Sequence, residues 1–361
     1  MSELPIPSTI DDVTAEWLAA ALGVDGEPAP VVGLTAEMFG EGVGVSSSLY
    51  RVVPEYEPGG NGQHPESLVV KLRSVEDFNA ARSHLLQMYQ REAGFFSELA
   101  PRMRVRVPRC WHADCSAETP DYVIVMEDLA GHRVVSQVEG CGLEDARAVI
   151  DQVALYHADW WERHDEMNDL TCQIPIDHDL YLQVLPGMFT EGWEAAQRYL
   201  DVPDAVRDVA PRYAENIPTM LGMLGRGPRT LLHGDIRIDN MMFAPDGVPY
   251  VLDFQLTGAG NASYDIGYFL SQSLTTGDRA AWERELFDHY LQALDAAGVE
   301  GIDGDSLWET YEMACLYCLI YPMAGAATLG DTDERTFALY QEMMNRSGAA
   351  IADLDLGRLI P

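Results

Sequence analysis

The pattern of hydrophobic and polar positions changes about one third of the way along the chain. Residues 8–22 start with Ser, Thr and Asp and continue with apolar residues at helical spacing, which predicts a helix. Short apolar runs bounded by glycine, proline and polar residues then predict strands. The predicted strands cover residues 31–39, 48–54, 68–73, 107–113 and 121–127. After the third of these strands, the run from Phe78 to Leu99 predicts a single helix.

In the rest of the chain the pattern is mostly helical. The helix with the clearest periodicity is predicted over residues 143–165. Further helices are predicted over residues 187–200, 204–224, 279–297, 305–320 and 332–352. Only residues 231–256 depart from the pattern, with two short strand-like runs. We therefore predict an α+β chain of two lobes, a mixed one over residues 1–129 and a helical one over residues 130–361, with a linker near residues 127–131.

Composition adds the class of protein. The chain has 361 residues, of which 47% are apolar, enough for a full core in each of two lobes. It contains no uncharged apolar stretch of membrane-spanning length, so no membrane span is expected. The first residues carry acids where a signal peptide would carry a basic region, which predicts a cytoplasmic protein.

The charge balance excludes some partners. The chain has 58 acidic and 23 basic residues, a formal net charge of −35. This excess argues against nucleic acid and against anionic membranes as partners. It would suit a cationic substrate, or it is simply a solvated acidic surface. The second interpretation is favoured because the acids are spread along the whole chain.

The cysteines indicate packing rather than chemistry. Six are present, at Cys110, Cys115, Cys141, Cys172, Cys315 and Cys318. Cys315 and Cys318 form a C-x-x-C pair, but it lies in an apolar helical stretch without a nearby histidine or second cysteine pair. Core packing is therefore favoured over a zinc site, and no disulfide is expected.

One lysine stands among 22 arginines, and it lies inside the predicted strand 68–73. The compact ammonium of Lys71 suits a crowded phosphate site better than the planar fork of arginine. The alternative is that one lysine has survived by chance. Glu92, on the following predicted helix, is the best candidate for an ion-pair partner, ahead of Glu98. Alternatively, Glu92 is a surface acid paired with Arg91.

A glycine-rich turn joins the first two predicted strands. Its backbone N–H groups and serine hydroxyls would approach phosphate oxygens closely. The candidate phosphate-binding residues are Gly40, Gly42, Gly44, Ser46 and Ser47. An ordinary hairpin turn is the alternative. The turn does not end in Gly-Lys-Ser/Thr, so a P-loop NTPase is disfavoured.

The segment from Leu231 to Gln255 carries the chemistry of phosphoryl transfer. Asp235 follows an apolar run and would orient or deprotonate a substrate hydroxyl. Asn240 lies five residues later and Asp253 a further thirteen, on a second apolar run. Oxygen atoms of these two side chains suit Mg²⁺ bound to nucleotide phosphates.

Neighbouring residues have supporting roles with alternatives. Arg237 would neutralise the transferred phosphoryl group, or it forms a salt bridge to Asp239 or another acid. His233 is expected to form structural hydrogen bonds. Asp265 opens an apolar helix, either as its N-cap or as a brace behind the catalytic loop.

The first lobe ends in an apolar strand followed by acids. A planar nucleotide base would bind there to backbone groups of Glu127 and Leu129. Alternatively, the acids at this boundary only solvate the linker.

Together these residues resemble the aminoglycoside phosphotransferase and choline kinase-like superfamily. The resemblance is carried by Gly40–Ser48, Lys71, Glu92, Met126–Leu129, His233-Gly234-Asp235, Asn240, Asp253 and Asp265. The sequence Asp-Phe-Gln at residues 253–255 most resembles the corresponding sequence of the ecdysteroid kinase-like branch and its bacterial relatives. The resemblance implies a bilobal protein-kinase-like fold with an antiparallel N-terminal sheet. It also implies ATP and Mg²⁺ as cofactors and transfer of the γ-phosphoryl group to a hydroxyl of a small molecule.

Two departures from protein kinases narrow this expectation. Gly234 and Gln255 stand where protein kinases have arginine and glycine, and only twelve residues separate Asp253 from Asp265. Protein substrates are therefore not expected. A nucleotide-binding pseudokinase is the alternative, and the complete set of Lys, Asp, Asn and Asp argues against it. Aromatic residues in the ranges 160–200 and 308–345 form either a substrate wall or core.

Overall fold

The computed structural model describes residues 4–40, 46–59, 64–331 and 333–360. These residues form two compact units. The first unit comprises Met1–Arg102 and Val107–Gly131, and the second comprises Met103–Arg106 and His132–Pro361. None of the described helices is both long and apolar enough to cross a membrane.

The first unit is built on a five-stranded antiparallel sheet, as the resemblance implied. Its strands are β1 (Val31–Phe39), β2 (Ser47–Tyr56), β3 (Leu68–Arg73), β4 (Cys110–Cys115) and β5 (Tyr122–Glu127). They lie in the order β1-β2-β3-β5-β4. All five were predicted from the sequence, because alternating and continuous apolar runs match strands buried on one or both faces.

The N-terminal segment covers one face of this sheet. Helix α1 (Ala15–Ala21) begins where the Thr14 hydroxyl accepts a hydrogen bond from the backbone N–H of Trp17 at 3.2 Å. The Trp17 indole donates to the Pro5 carbonyl at 2.7 Å, which fixes the preceding segment. The cluster under α1 takes alternate residues from three strands, in accordance with the two-residue period of a strand. These residues are Tyr50, Val52, Leu68, Val70, Leu72, Val123 and Val125.

The single helix predicted from Phe78 to Leu99 is wrong, because the chain breaks there. It forms α2 (Asp77–Leu85), α3 (Met88–Gly94) and a π-helical turn (Phe95–Leu99). The break lies at Gln87, whose φ is +55°. This change of direction brings Tyr89 onto the sheet, where its ring stacks on Tyr122 at 4.1 Å. The break in the helix is therefore accompanied by burial of an aromatic side chain against the sheet.

The second unit is mostly helical, as predicted. Its helices are α4 (Leu143–Trp160), α5 (His164–Asn168), α6 (Asp179–Tyr199), α7 (Asp204–Leu224), α8 (Ser263–Ser273), α9 (Thr276–Ala296), α10 (Gly304–Tyr317), α11 (Ile320–Ala326) and α12 (Glu334–Asp353). Helix α6 begins eight residues before the predicted start at residue 187, because the His178 side chain accepts a hydrogen bond from Leu180 N–H at 3.1 Å and caps it there. The predicted helix 143–165 is interrupted near Glu162, whose φ is +56°.

Short strands position the segment with the candidate catalytic residues. They are β6 (Arg133–Val134), β7 (Ile174–Pro175), β8 (Arg229–Leu232), β9 (Met241–Phe243), β10 (Pro249–Val251) and β11 (Gly258–Asn261). They form two three-stranded sheets, in the orders β10-β9-β6 and β7-β11-β8. The two predicted strand-like runs are therefore parts of two separate small sheets.

Cys315 and Cys318 are packed in the core, as the sequence predicted. All six are free, and the side chains of Cys315 and Cys318 are fully buried at the end of α10. Burial raises the pKa of the Cys315 thiol to about 12, so it stays protonated at neutral pH. Among the described residues, no group of three or more His, Cys, Asp and Glu side chains is arranged to hold a metal ion.

We predict that the sheet of the first unit depends on the N-terminal helix. Trp17→Ala would remove a side chain that is 6% exposed and lower the free energy of unfolding by about 3–5 kcal/mol. Urea unfolding followed by circular dichroism measures this loss. Phe78→Ala, at a side chain 78% exposed in the same unit, is the matched control and should change the stability by less than about 0.5 kcal/mol. Equal effects of the two substitutions would contradict the assignment.

Candidate active site

The segment between β8 and β9 holds the candidate catalytic residues. It begins with His233-Gly234-Asp235 and ends in a short 3₁₀ turn, Ile238–Asn240. Leu252 N–H donates to the Asn240 carbonyl at 3.0 Å, so the end of the turn is tied to the residue before Asp253. Residues that are 12 apart in sequence are thereby brought to neighbouring positions.

Asp265 holds this segment from behind. Its carboxylate accepts hydrogen bonds from the backbone N–H groups of His233 at 2.7 Å and Gly234 at 3.0 Å. Its Oδ2 also lies 3.1 Å from His157 Nε2, and both side chains are fully buried. The N-cap of α8 is Ala262, so of the two roles predicted for Asp265 the structure supports the brace.

Asp235 is surrounded by hydrogen-bond donors. Oδ1 accepts from the Tyr268 hydroxyl at 2.6 Å, and Oδ2 accepts from Asn240 Nδ2 at 3.2 Å. Arg237 Nε lies 3.3 Å from Oδ2 as an ion pair. The Asp235 side chain remains 18% exposed, so a small reactant can reach it. This arrangement holds one carboxylate in a defined orientation.

Arg237 forms an ion pair with Asp235 and not with Asp239, so the alternative of a salt bridge to a nearby acid is met at a different acid. Burial alone would lower the pKa of Arg237, but the charges of Asp235 and other nearby acids outweigh it and raise the pKa. Asp239 instead accepts from Gln137 N–H at 2.7 Å and lies 3.8 Å from Arg335. Arg237 is therefore a permanent positive charge beside the candidate catalytic carboxylate.

Asn240 and Asp253 offer the oxygen atoms that Mg²⁺ prefers. Both hydrogen bonds of the Asn240 side chain use Nδ2, which donates to the backbone oxygen and to Oδ2 of Asp235. The amide oxygen is thus directed away from these bonds. Asp253 has a φ of +65°, a conformation that costs energy for a residue with a side chain. The donor chemistry fits a hard divalent cation.

In the first unit, the Lys71 ammonium and the Glu92 carboxylate form an ion pair of 2.7 Å. The side chains are 9% and 2% exposed. Lys71 lies on β3 and Glu92 on α3, whose direction follows from the break at Gln87. Glu92 is therefore not the surface acid of the alternative interpretation.

The glycine-rich turn is described in part. Gly42 and Gly44 lie outside the described residues. Gly40 has a φ of +72°, which glycine adopts without strain. Ser46 accepts a hydrogen bond at its carbonyl from the Tyr89 hydroxyl, and Ser47 begins β2 opposite Arg73. Ser46 and Ser47 therefore lie where the chain enters the sheet.

At the end of β5, Glu127 and Leu129, the two residues predicted to meet a base, and Asp128 between them have different surroundings. Glu127 exchanges backbone and side-chain hydrogen bonds with Arg109, and Leu129 is buried. Asp128 accepts from Arg51 at 2.7 Å and from Ser67 at 2.8 Å. Burial works to raise its pKa, but these two bonds, a third from Ala130 N–H and the charge of Arg51 together outweigh burial and lower it. Asp128 therefore braces the sheet rather than solvating a linker.

Three tyrosines surround Gly234 and Asp235. These residues are Tyr264, Tyr268 and Tyr321. Tyr321 lies in a range predicted to form a substrate wall or core, and sequence reasoning did not assign Tyr264 and Tyr268 to the site. The hydroxyls of Tyr321 and Tyr264 donate to the Gly234 carbonyl at 2.9 Å and 3.2 Å, and also contact each other. The one available signal was spacing, since Tyr268 follows Asp265 by three residues on the same helix.

The surroundings of Gly234 explain why this chain has glycine where protein kinases have arginine. Its φ is +84°, and a Cβ atom there would lie 2.2 Å from the Leu256 carbonyl oxygen. No side chain fits this position without moving the turn that follows Asp253. Glycine is therefore required where protein kinases carry arginine.

The antiparallel sheet, the buried Lys–Glu pair and the Asp-Asn-Asp segment define a protein-kinase-like fold. Residues 41–298 match the sequence model of the ecdysteroid kinase-like family. This range is more than half of the chain, and the protein belongs to that family. No curated protein matches the sequence.

Solved structures share the fold at low sequence identity. A Ralstonia eutropha protein solved as a candidate aminoglycoside phosphotransferase is 17% identical, with 94% of this chain and 95% of that chain covered and a TM-score of 0.55. Plasmodium vivax ethanolamine kinase is 11% identical, with 90% and 83% covered and a TM-score of 0.54. The GDP complex of aminoglycoside 2′-phosphotransferase-IIIa is 14% identical, with 87% and 92% covered and a TM-score of 0.52.

We predict that Gly234→Ala destabilises the protein more than Gly247→Ala does. Gly247 has a similar φ, +81°, but no atom lies within 4 Å of the position of its added Cβ. Gly247→Ala should therefore cost only the left-handed backbone penalty of about 1–2 kcal/mol. Gly234→Ala adds the contact with Leu256 and should cost roughly 1–3 kcal/mol more. Urea unfolding of both variants tests this, and equal losses would contradict the close packing described above.

Proposed function

We propose that the protein is an ATP-dependent phosphotransferase that moves the γ-phosphoryl group to a hydroxyl of a small molecule. The observation that carries the proposal is the surroundings of Asp235. A partly exposed carboxylate is oriented by Tyr268 and Asn240 and lies beside the charge of Arg237. Family membership supports the proposal, because kinases act through such a carboxylate.

Lys71 would bind the α- and β-phosphates of the nucleotide. Removing an ammonium and a carboxylate from water is costly, and an ion pair repays that cost only in part. A buried Lys–Glu pair is therefore better explained by a function for the ammonium than by stability. Gly40, Ser46 and Ser47 would add backbone and hydroxyl donors to the phosphates, and the backbone at Glu127 and Leu129 would contact the base.

The oxygen atoms of Asn240 and Asp253 would hold Mg²⁺. When bound, the cation would neutralise charge on the nucleotide phosphates. Asp253 also contributes to raising the pKa of Arg237, which supports a shared electrostatic environment for the two side chains.

Transfer would use Asp235 and Arg237. Asp235 would accept a hydrogen bond from the acceptor hydroxyl and take its proton as the hydroxyl oxygen bonds to the γ-phosphorus. The bond between that phosphorus and the β–γ bridging oxygen breaks, and ADP leaves with the electron pair. Arg237 would stabilise the charge on the transferred group. The protein's contribution is orientation and charge, as in other phosphoryl transfers.

Two observations favour a small-molecule acceptor. The chain after Asp253 forms one 3₁₀ turn, Phe254–Leu256, and then pairs as β11 with β8 before α8 begins. It leaves no length for an activation segment that would bind a peptide. The structures with the same fold include kinases named for aminoglycosides and ethanolamine, and the family is named for ecdysteroids.

We predict that Asp235→Asn lowers turnover by about 10²- to 10⁴-fold, because the amide cannot take the proton of the acceptor. ADP formation is measured with Mg²⁺ and ATP, first with water as the acceptor and then with a panel of alcohols and hydroxylated antibiotics. Asp246→Asn makes the same chemical change at an exposed turn, where Asp246 pairs with Arg106, and should leave turnover unchanged.

Nucleotide binding with no difference in turnover between wild type and Asp235→Asn would contradict the proposal. It would favour a pseudokinase that acts through interactions.

The nucleotide site has a separate test, because Lys71 is the only lysine of the chain. An ATP analogue with an acyl group on its terminal phosphate acylates a nearby lysine and releases ATP. We predict that it labels Lys71, that excess ATP with Mg²⁺ prevents the labelling, and that Lys71→Arg abolishes it. Peptide mass spectrometry locates the label. Labelling of Lys71 that excess ATP leaves unchanged would contradict a nucleotide site there.

A further inference from the structure

We propose that Tyr268 is a positioning residue for phosphoryl transfer, which directs Oδ1 of Asp235 toward the acceptor hydroxyl. This inference rests on the proposed function. It assigns a role to a side chain on α8, outside the segment that carries the candidate catalytic residues.

The two oxygen atoms of Asp235 have different surroundings. Oδ2 faces two nitrogen atoms, Asn240 Nδ2 at 3.2 Å and Arg237 Nε at 3.3 Å. Oδ1 accepts from the Tyr268 hydroxyl at 2.6 Å, the shortest contact of the carboxylate. A carboxylate oxygen can accept a second hydrogen bond. Oδ1 can therefore still accept a hydrogen bond from the acceptor hydroxyl, and Tyr268 restricts the direction from which that hydroxyl can approach.

Tyr268 is itself held rigidly. Its side chain is 1% exposed, and its ring stacks on that of Tyr321 with centroids 4.3 Å apart and planes inclined by 11°. Two χ angles are thus fixed by packing, so the hydroxyl cannot follow the carboxylate if that side chain rotates. A rigid donor restricts the rotamer of Asp235, whereas a flexible one would only accompany it.

The same helix controls the backbone and the side chain of the catalytic residue. Asp265 on α8 binds the N–H groups of His233 and Gly234, and Tyr268, one helical turn later, binds the Asp235 carboxylate. Tyr321 adds a bond to the Gly234 carbonyl at 2.9 Å. Both the N–H and the carbonyl of Gly234, the residue before Asp235, are therefore held, and Tyr268 completes this support at the carboxylate.

Tyr268 is a hydrogen-bond donor and not the group that takes the proton. Burial, followed by the charge of Asp235, raises the pKa of Tyr268 well above its usual value. The hydroxyl remains protonated over the range in which a kinase would be assayed. An effect of removing it would therefore act through the orientation of Asp235.

The test compares single variants by steady-state kinetics, with Mg²⁺, ATP and water as the acceptor. Tyr268→Phe keeps the ring and its stack on Tyr321 but removes the donor. We expect kcat to fall about 10- to 100-fold, because a misplaced reacting group costs about this much. KM for ATP should change less than about twofold. Tyr311→Phe is the matched control, because Tyr311 is fully buried and also donates to a carboxylate, that of Glu283 at 3.1 Å. It should leave kcat unchanged.

A double-mutant cycle separates positioning from general support of the fold. In single-turnover measurements, adding Tyr268→Phe to Asp235→Asn should cause less than a twofold further loss, because the residue through which Tyr268 acts is already impaired. A tyrosine that only stabilises the fold would give losses that multiply. Thermal unfolding of each variant checks that all of them are folded at the assay temperature.

The outcomes distinguish this inference from the proposed function. If wild type turns over ATP much faster than Asp235→Asn but Tyr268→Phe matches wild type, the role of Tyr268 is overturned and the proposed function stands. Multiplicative losses in the cycle overturn the positioning role in the same way. If wild type and Asp235→Asn do not differ, the proposed function fails, and the assignment of Tyr268 fails with it.

Discussion

The candidate active site depends on one buried carboxylate, that of Asp265. A charge without solvent is costly unless hydrogen bonds compensate for it, and Asp265 is compensated by the backbone N–H groups of His233 and Gly234 and by the His157 ring. His157 is in turn bound to the Tyr290 hydroxyl at 2.7 Å. The backbone of the candidate catalytic segment is therefore part of the solvation of a buried charge. Any rearrangement of that segment would leave the charge without its two backbone donors.

The acidic composition sets a second constraint. A chain with a formal charge of −35 repels polyanions at long range, although salt at physiological strength screens such repulsion beyond roughly 8 Å. A nucleotide would therefore respond mainly to the groups that it touches. Lys71 and Arg237 are each held beside a carboxylate, so their positive charges are fixed in place. In a protein with few basic residues, the positions of these two side chains matter more for a bound nucleotide than the total number of positive charges.

Much of the fold follows from local sequence patterns. The strand 68–73 and the helix 204–224 have the predicted bounds, because apolar periodicity reports directly which face is buried. The break at Gln87 could not be predicted, since it follows from the packing of Tyr89 on Tyr122, 33 residues away in sequence. The helix propensity of the residues around Gln87 gives no information about a contact so distant in sequence.

The candidate active site was likewise predictable from the sequence only in part. Asp235 and Asn240 were predicted together because five residues of separation place them on one short loop, and their side chains are in fact hydrogen-bonded. Tyr268 was not predicted, because a helix rich in buried aromatic residues gives no sign of which hydroxyl will meet a carboxylate 33 residues earlier. Periodicity indicates burial, and only the three-dimensional structure shows the hydrogen-bond partners.

Two departures from protein kinases, Gly234 and the short connection after Asp253, belong to one structural feature. The turn after Asp253 approaches Gly234 so closely that the Leu256 carbonyl occupies the space of a side chain there. Gly258 then pairs with Leu232, so the chain returns to the sheet five residues after Asp253. A longer segment after Asp253 would have to leave this path and separate from Gly234. The glycine and the short connection therefore require each other, and both keep the surroundings of Asp235 free of the segment that would bind a protein substrate.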